Sequence, residues 1–373
     1  MGDVLVRPAV LDDPDGPAAG DPEDMLGAVA GAGTQLRDGA DPATRARCRA
    51  LAGLPSPRAV VVAGMGGSAA AGDVLTAVAA PGSRTPVVVH RGYGLPSWVG
   101  PDDLLVAVSC SGQTEETLSA VGEAVRRGMR PVTIGAIGSA LSAAATDCGG
   151  LHLPVDSAGR QPRACLWALA APLLCVADAV GVVPVPAEAT DAAVLALDDV
   201  ARRCRPQRGV ADNPAKSLAQ HLADGLPMVW GFSEVAAVAA ARFGNQLAEN
   251  AKIPSVVGAL SEPHHNQVVT FDTADRGLSA RLRLLVLRDC VEDARLGRRA
   301  AESLRLADEA GLTAHQVRAE GEHPLVRLAG LTGLLDFTSV YVALALGVDP
   351  TPVAPIVTLK GRLAMPADER ACE

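Results

Sequence analysis

The chain has 373 residues, a formal net charge of −9, and 49% hydrophobic but only 2% aromatic residues. The length fits two domains better than one, and the composition fills their cores with Ala, Val and Leu. The acidic balance, with no basic run, argues against nucleic-acid binding and leaves local donors, not a global positive field, to capture any anionic ligand.

Residues 1–22 are rich in Asp, Pro and Gly and read as an arm with one short strand near Val4-Leu5-Val6. Residues 23–52 hold an amphipathic helix and then a charged segment at 45–49. From Arg58 strands and helices alternate. Strands are expected at 59–63, 85–90, 104–108, 131–134 and 150–153, with a helix at 115–128. This βαβ rhythm predicts a parallel, doubly wound sheet.

The first strand runs into Gly64-Met65-Gly66-Gly67-Ser68-Ala69-Ala70-Ala71-Gly72-Asp73. Glycines at such a turn let backbone N–H groups approach an anion, and a helix start adds partial positive charge. Ser68 adds a hydroxyl at that mouth. The spacing matches neither Gly-x-Gly-x-x-Gly nor a Walker A loop. A tight turn that binds nothing is the plain alternative. The third strand runs into Ser109-Cys110-Ser111-Gly112-Gln113-Thr114-Glu115-Glu116-Thr117. Thr114 is a suitable N-cap, and Glu115 and Glu116 suit a first helical turn. Three hydroxyls with backbone amides and no Lys or Arg suit the phosphate monoester of a small ligand. A Ser/Thr-rich capped turn is the plain alternative. Two such loops on parallel strands of one sheet point to a shared crevice.

Gln161-Pro162-Arg163-Ala164 precedes an apolar helix at 165–180, with a bend expected at Pro172. Arg163 gains nothing from a helix dipole there. It suits contact with a ligand or partner chain, or is a solvated loop residue. Residues 184–213 combine a Pro/Ala-rich link with a charged helix and mark the domain boundary. The organisation is therefore an N-terminal arm and helix (1–52), a first α/β domain (53–183), a linker (184–213) and a second α/β domain with a C-terminal segment (214–373). In the second, strands at 226–231, 281–287 and 315–320 alternate with helices at 233–250, 291–310 and 324–346. The repeated rhythm suggests a tandem duplication. The second copy lacks both hydroxyl loops and is not expected to bind phosphate in the same way.

Glu249, in Gly244-Asn245-Gln246-Leu247-Ala248-Glu249-Asn250-Ala251-Lys252, falls in a last helical turn, where the dipole disfavours a carboxylate. His264 and His265 follow Pro263. Adjacent side chains point apart in extended chain, so they make a poor metal pair, and one His acting as acid or base fits better. Two solvated loop histidines are the plain alternative. Lysine occurs only as Lys216, Lys252 and Lys360, with Arg elsewhere. A Lys kept against that bias suits compact contact with oxygen that Arg cannot make. The eight cysteines are scattered, with no Cys-x-x-Cys pair. That argues against a zinc site or a disulfide framework and fits reduced thiols in the cytoplasm. No signal-peptide pattern opens the chain. No apolar stretch reaches the roughly 20 charge-free residues of a membrane span.

Gly66-Gly67-Ser68 with Ser109-x-Ser111-Gly112-x-Thr114-Glu115-Glu116-Thr117 resembles the sugar isomerase (SIS) domain. With the Glu-Asn-Ala-Lys and His-Asn motifs, the chain resembles the bifunctional phosphoglucose/phosphomannose isomerase family over residues 58–360. The resemblance implies two tandem SIS-type parallel-sheet domains and a phosphosugar substrate. It implies that Gly66, Gly67, Ser68, Ser109, Ser111 and Thr114 hold the phosphate. By the same resemblance, Glu249 moves a proton between C1 and C2 through a cis-enediolate, and Arg163 stabilises its charge. His265, reaching across a homodimer, and Lys360 open the ring. Neither metal nor cofactor is implied, and none is needed to shift hydrogens between C1 and C2. Gln113 and Cys110 depart from the family pattern and leave altered substrate preference open. A non-catalytic SIS module that senses a phosphosugar needs only the phosphate loops, so the set Glu249, His265, Arg163 and Lys360 favours the enzyme. An amidotransferase-type SIS pair needs an N-terminal Cys nucleophile, whereas this chain begins Met1-Gly2-Asp3.

Overall fold

The computed structural model describes residues 9–13, 16–259, 261–277 and 281–364. The strand expected near Val4-Leu5-Val6 lies outside them. Residues 23–52 fold as three short helices, Met25–Ala30, Ala32–Gly39 and Pro42–Cys48, instead of one. Gly31 ends the first, and Asp41 restarts the chain by capping the Thr44 amide at 2.7 Å ahead of Pro42.

The first sheet contains β1 (Val60–Ala63), β2 (Val87–His90), β3 (Leu104–Ser109), β4 (Val132–Gly135) and β5 (Leu151–Pro154). All its pairs are parallel, in the order β2-β1-β3-β4-β5. Every residue of β1 is buried, as a continuous apolar run in a two-sided sheet requires. The second sheet contains β6 (Leu226–Gly231), β7 (Val256–Ala259), β8 (Leu282–Asp289) and β9 (Thr313–Ala319), also parallel, in the order β7-β6-β8-β9. The sequence pattern missed β7. Its four residues are too few to show a period, and its register against Met228–Gly231 of β6 defines it.

The helices that position the site are α1 (Gly66–Ala79), α2 (Glu115–Arg126), α3 (Leu166–Ala179), α4 (Ala187–Arg203), α5 (Glu234–Gln246), α6 (Pro324–Ala345) and α7 (Ala354–Ala364). The helix α3 continues past Pro172. The segment between the sheets is a packed layer as well as a link: α4 buries Ala193, Val194 and Leu197 and lies against α6. In turn α6 touches α1, α4 and α5, so side chains of both halves join one continuous core. Among the described residues α6 alone is long and apolar enough to cross a membrane, yet 89% of its apolar window is buried inside the protein.

Candidate active site

In the first sheet the chain reverses its direction of travel between β1 and β3, and the loops after these strands line a crevice. The turn after β1 places Gly66 at φ 51°, and α1 begins there. No side chain caps the start of α1, so its first amides are left for an external acceptor. Ser68 is buried, and its Oγ accepts from the Cys110 amide at 3.1 Å, tying the two loops together. In the second loop Ser109 Oγ accepts from the Gly112 amide at 3.0 Å and shares a hydrogen bond with Thr114 Oγ1 at 2.9 Å. Thr114 stands at the N-cap position of α2, but its side chain caps no helix amide. The expectation of a capping hydroxyl is corrected: Ser109 engages it instead. Ser111 is exposed, its Oγ accepting from the Gln113 amide at 3.2 Å. Cys110 is buried, in keeping with packing, and a hydrogen bond from the Cys165 thiol holds its own thiol below the usual range against the opposing effect of burial.

Gly67 explains how a loop of the first sheet meets Arg163. A Cβ at Gly67 would stand 2.8 Å from the Pro162 carbonyl oxygen and 3.3 Å from Arg163 Cα. Only glycine lets the anion turn seat on the short turn Pro162–Ala164. Arg163 is 3% exposed, which removes the solvated-loop alternative. Its Nε donates to Asn250 Oδ1 at 2.7 Å, and its Nη2 donates to the Pro350 and Thr351 carbonyls at 2.8 and 2.7 Å. Its Nη1 lies 3.8 Å from Glu249 Oε2. All three hydrogen-bond acceptors are neutral, so among the described residues Glu249 is the one carboxylate in ion-pair contact with this cation. Burial draws the Arg163 pKa below its ordinary value, and the Glu249 charge works against that shift.

Glu249 owes its place to an irregularity. The helix α5 passes into a wider, π-helical turn, Leu247–Ala251, which ends at Lys252 in the left-handed region, φ 59°. Such turns alter the face a helix presents. Here the Glu249 side chain is 29% exposed while the next residue, Asn250, is fully buried. Lys252 stabilises the turn with its Nζ, which donates to the Glu249 carbonyl at 2.6 Å and the Pro350 carbonyl at 3.1 Å.

Behind this pair lies a network the sequence analysis did not single out. Asp336, on α6, forms a buried ion pair with Arg242 at 2.7 Å and accepts from Gln246 Nε2 at 3.2 Å. Arg242 Nη2 donates to the Arg163 carbonyl at 3.0 Å. Asn250 Nδ2 donates to Ser339 Oγ at 2.9 Å, and Ser339 Oγ donates to the Asp336 carbonyl at 2.7 Å. One signal was available: an Asp within an apolar helix needs a partner.

The two histidines separate as adjacent residues do. His264 turns inward, its Nε2 2.6 Å from Ser303 Oγ and its ring edge-on to Trp230 and Phe232. Burial draws its pKa down, as do Arg299 and His265 nearby. His265 is exposed. Lys360 stands exposed on α7, and among the described residues no hydrogen bond or ion pair joins it or His265 to Arg163 or Glu249.

Comparison with known proteins adds an independent line. Residues 54–157 match the SIS domain model, and residues 211–363 match the model of the bacterial phospho-glucose isomerase C-terminal SIS domain. The chain is 32% identical over 305 residues to the bifunctional phosphoglucose/phosphomannose isomerase of Caldicellulosiruptor bescii, covering 82% of this chain and 89% of the relative. It is 28% identical to the protein of the same name from Aquifex aeolicus, covering 82% and 90%. Among solved structures, a hypothetical protein from Thermus thermophilus superposes with a TM-score of 0.70 at 16% identity, over 93% of this chain and 92% of the other, which bears on the fold alone.

Proposed function

Since the chain belongs to the bifunctional phosphoglucose/phosphomannose isomerase family and is a sugar-phosphate isomerase, we propose that it interconverts glucose 6-phosphate and mannose 6-phosphate with fructose 6-phosphate. The supporting observation is the pair Arg163–Glu249, 3.8 Å apart, beside the glycine of an uncapped, hydroxyl-lined anion turn. The phosphate sits against the α1 start and the Ser68, Ser109, Ser111 and Thr114 hydroxyls. Glu249 removes the proton at C2 of the open-chain aldose and returns it at C1, the O2 hydroxyl proton passes to O1, and Arg163 Nη1 stabilises the enediolate oxygen between the two steps. Protonation from either face of the planar enediolate joins both epimers to one ketose. No metal is required, because one positioned carboxylate and one cation supply the proton transfer.

His265 and Lys360 open the sugar ring, with His265 delivered by a second copy of the chain. Two features support the homodimer: His265 is exposed, and α7 leaves Ile356, Val357, Leu359 and Leu363 uncovered around Lys360. The scattered cysteines, free in the described residues, support a reducing, cytoplasmic setting.

A coupled assay with each 6-phosphate in EDTA tests this function. Turnover of both sugars is expected, and an absolute metal requirement would overturn the mechanism. Glu249→Gln is expected to cut kcat by about 10³-fold while a phosphosugar analogue still binds. Unchanged turnover in that variant removes Glu249 from the role, and binding without turnover in the wild type would mark a sensor.

A further inference from the structure

Two buried arginines stand one behind the other, and the fold gives them different partners. Arg242 receives the carboxylate of Asp336. Arg163 receives the amide oxygen of Asn250, 2.7 Å from its Nε, and two backbone carbonyls. A guanidinium carries five N–H donors. Three of those on Arg163 are taken by neutral acceptors, and the two on Nη1 face the Glu249 side. The carbonyls are fixed by the backbone, so Asn250 is the side chain that decides whether a second carboxylate joins Glu249 against this cation.

The orientation of the Asn250 amide is dictated in turn. Ser339 Oγ donates its one proton to the Asp336 carbonyl at 2.7 Å, so toward Asn250 it can only accept. The amide must present Nδ2 to Ser339 and Oδ1 to Arg163. Burial of Asn250 at 0% exposure leaves no water to satisfy a flipped amide. An acid at this position would fill the same volume and accept the same bond while cancelling the charge that the reaction draws on.

We propose that Asn250 is a positioning residue: held by Ser339, it fixes Arg163 through a neutral acceptor, keeping the positive charge and the Nη1 edge available to an anionic oxygen in the crevice. This rests on the role given above to Arg163, and the test separates the two.

The decisive comparison uses two ligands that share a phosphate. One is a five-carbon sugar-acid phosphate, whose carboxylate mimics the enediolate. The other is the matching sugar-alcohol phosphate, which carries no second anion. Calorimetry on the full chain is expected to show the wild type preferring the acid at least tenfold. Asn250→Asp should remove most of that preference and leave alcohol binding within about twofold. In turnover the same variant should lose kcat with KM nearly unchanged. Ser339→Ala, which frees the amide to rotate, should weaken the preference several-fold, and it decides the matter if Asn250→Asp fails to fold. Equal weakening of both ligands, or an unchanged preference in the folded variants, overturns the role of Asn250 and leaves the isomerase function standing. A wild type that prefers the acid yet turns over neither 6-phosphate overturns the isomerase function, and the two-ligand comparison still judges Asn250.

Discussion

The two sheets share the order of their first four strands but meet their crevices with opposite chemistry. After β1 and β3 the loops offer an uncapped helix start and four hydroxyls, two of them paired with each other. After β6 and β8 the equivalent space is already occupied. Ser233 Oγ caps α5 by accepting from the Ala236 amide at 3.0 Å and donates to Asp289 Oδ2 at 3.2 Å. Asp289, at the end of β8, is 2% exposed, and Arg327 Nε lies 2.8 Å from its Oδ1 but off the donor axis, so the contact is ionic. One sheet leaves room for a ligand's anion, and the other seals its crevice with the chain's own. The parallel fold makes the crevice, and the loop residues decide whether it is a site.

Breaking the seal should have the largest effect. Asp289→Ala leaves Arg327 buried without its carboxylate and is expected to cost about 3–5 kcal/mol of stability, read by urea denaturation, with sugar-phosphate affinity of the folded protein unchanged. A gain of phosphate binding in the second half would break the comparison.

Next comes a pH effect confined to the second half. His221, 3.3 Å from the Leu284 carbonyl and with its ring tilted against His315 at 4.1 Å between centroids, has its pKa lowered to about 4, first by burial and then by His315, with Arg283 and Asp224 acting in opposite directions. The unfolded chain takes up this proton near pH 6.5, while the folded protein refuses it until about pH 4. The stabilising contribution is therefore present above pH 6.5 and lost as pH falls through that window. Between pH 7 and 5 the loss should be about 2 kcal/mol, and His221→Gln should flatten it. An unaltered slope in the variant would exclude His221.

Smallest is the loss of a loop hydroxyl. Ser109→Ala should weaken fructose 6-phosphate binding about tenfold, whereas Ser233→Ala, its counterpart in the sealed crevice, should leave binding unchanged. Equal effects in both variants would contradict the distinction.

Much of this was legible because strands, Gly-rich turns and hydroxyl runs are local features. Both loops, Arg163 and Glu249 could be named from short stretches. What stayed hidden depends on long separations or on single-turn geometry. Asp336 meets Arg242 from 94 residues away, the π turn looks like ordinary helix in sequence, and four-residue β7 has no readable period. The scarcity of lysine was a sound clue with an unexpected outcome. Lys216 Nζ gathers the Leu11, Pro206 and Arg208 carbonyls at 2.6, 2.7 and 2.8 Å, and Lys252 does similar work beside Glu249. Both use the compact ammonium that arginine lacks, for architecture.

The placement of α6 near the end of the chain bears on how the protein is made. This helix covers α1 and α4, which leave the ribosome far earlier. Until residues 324–345 are synthesised, the polypeptide that precedes them must wait with apolar surface uncovered, a period in which a chaperone has most to protect.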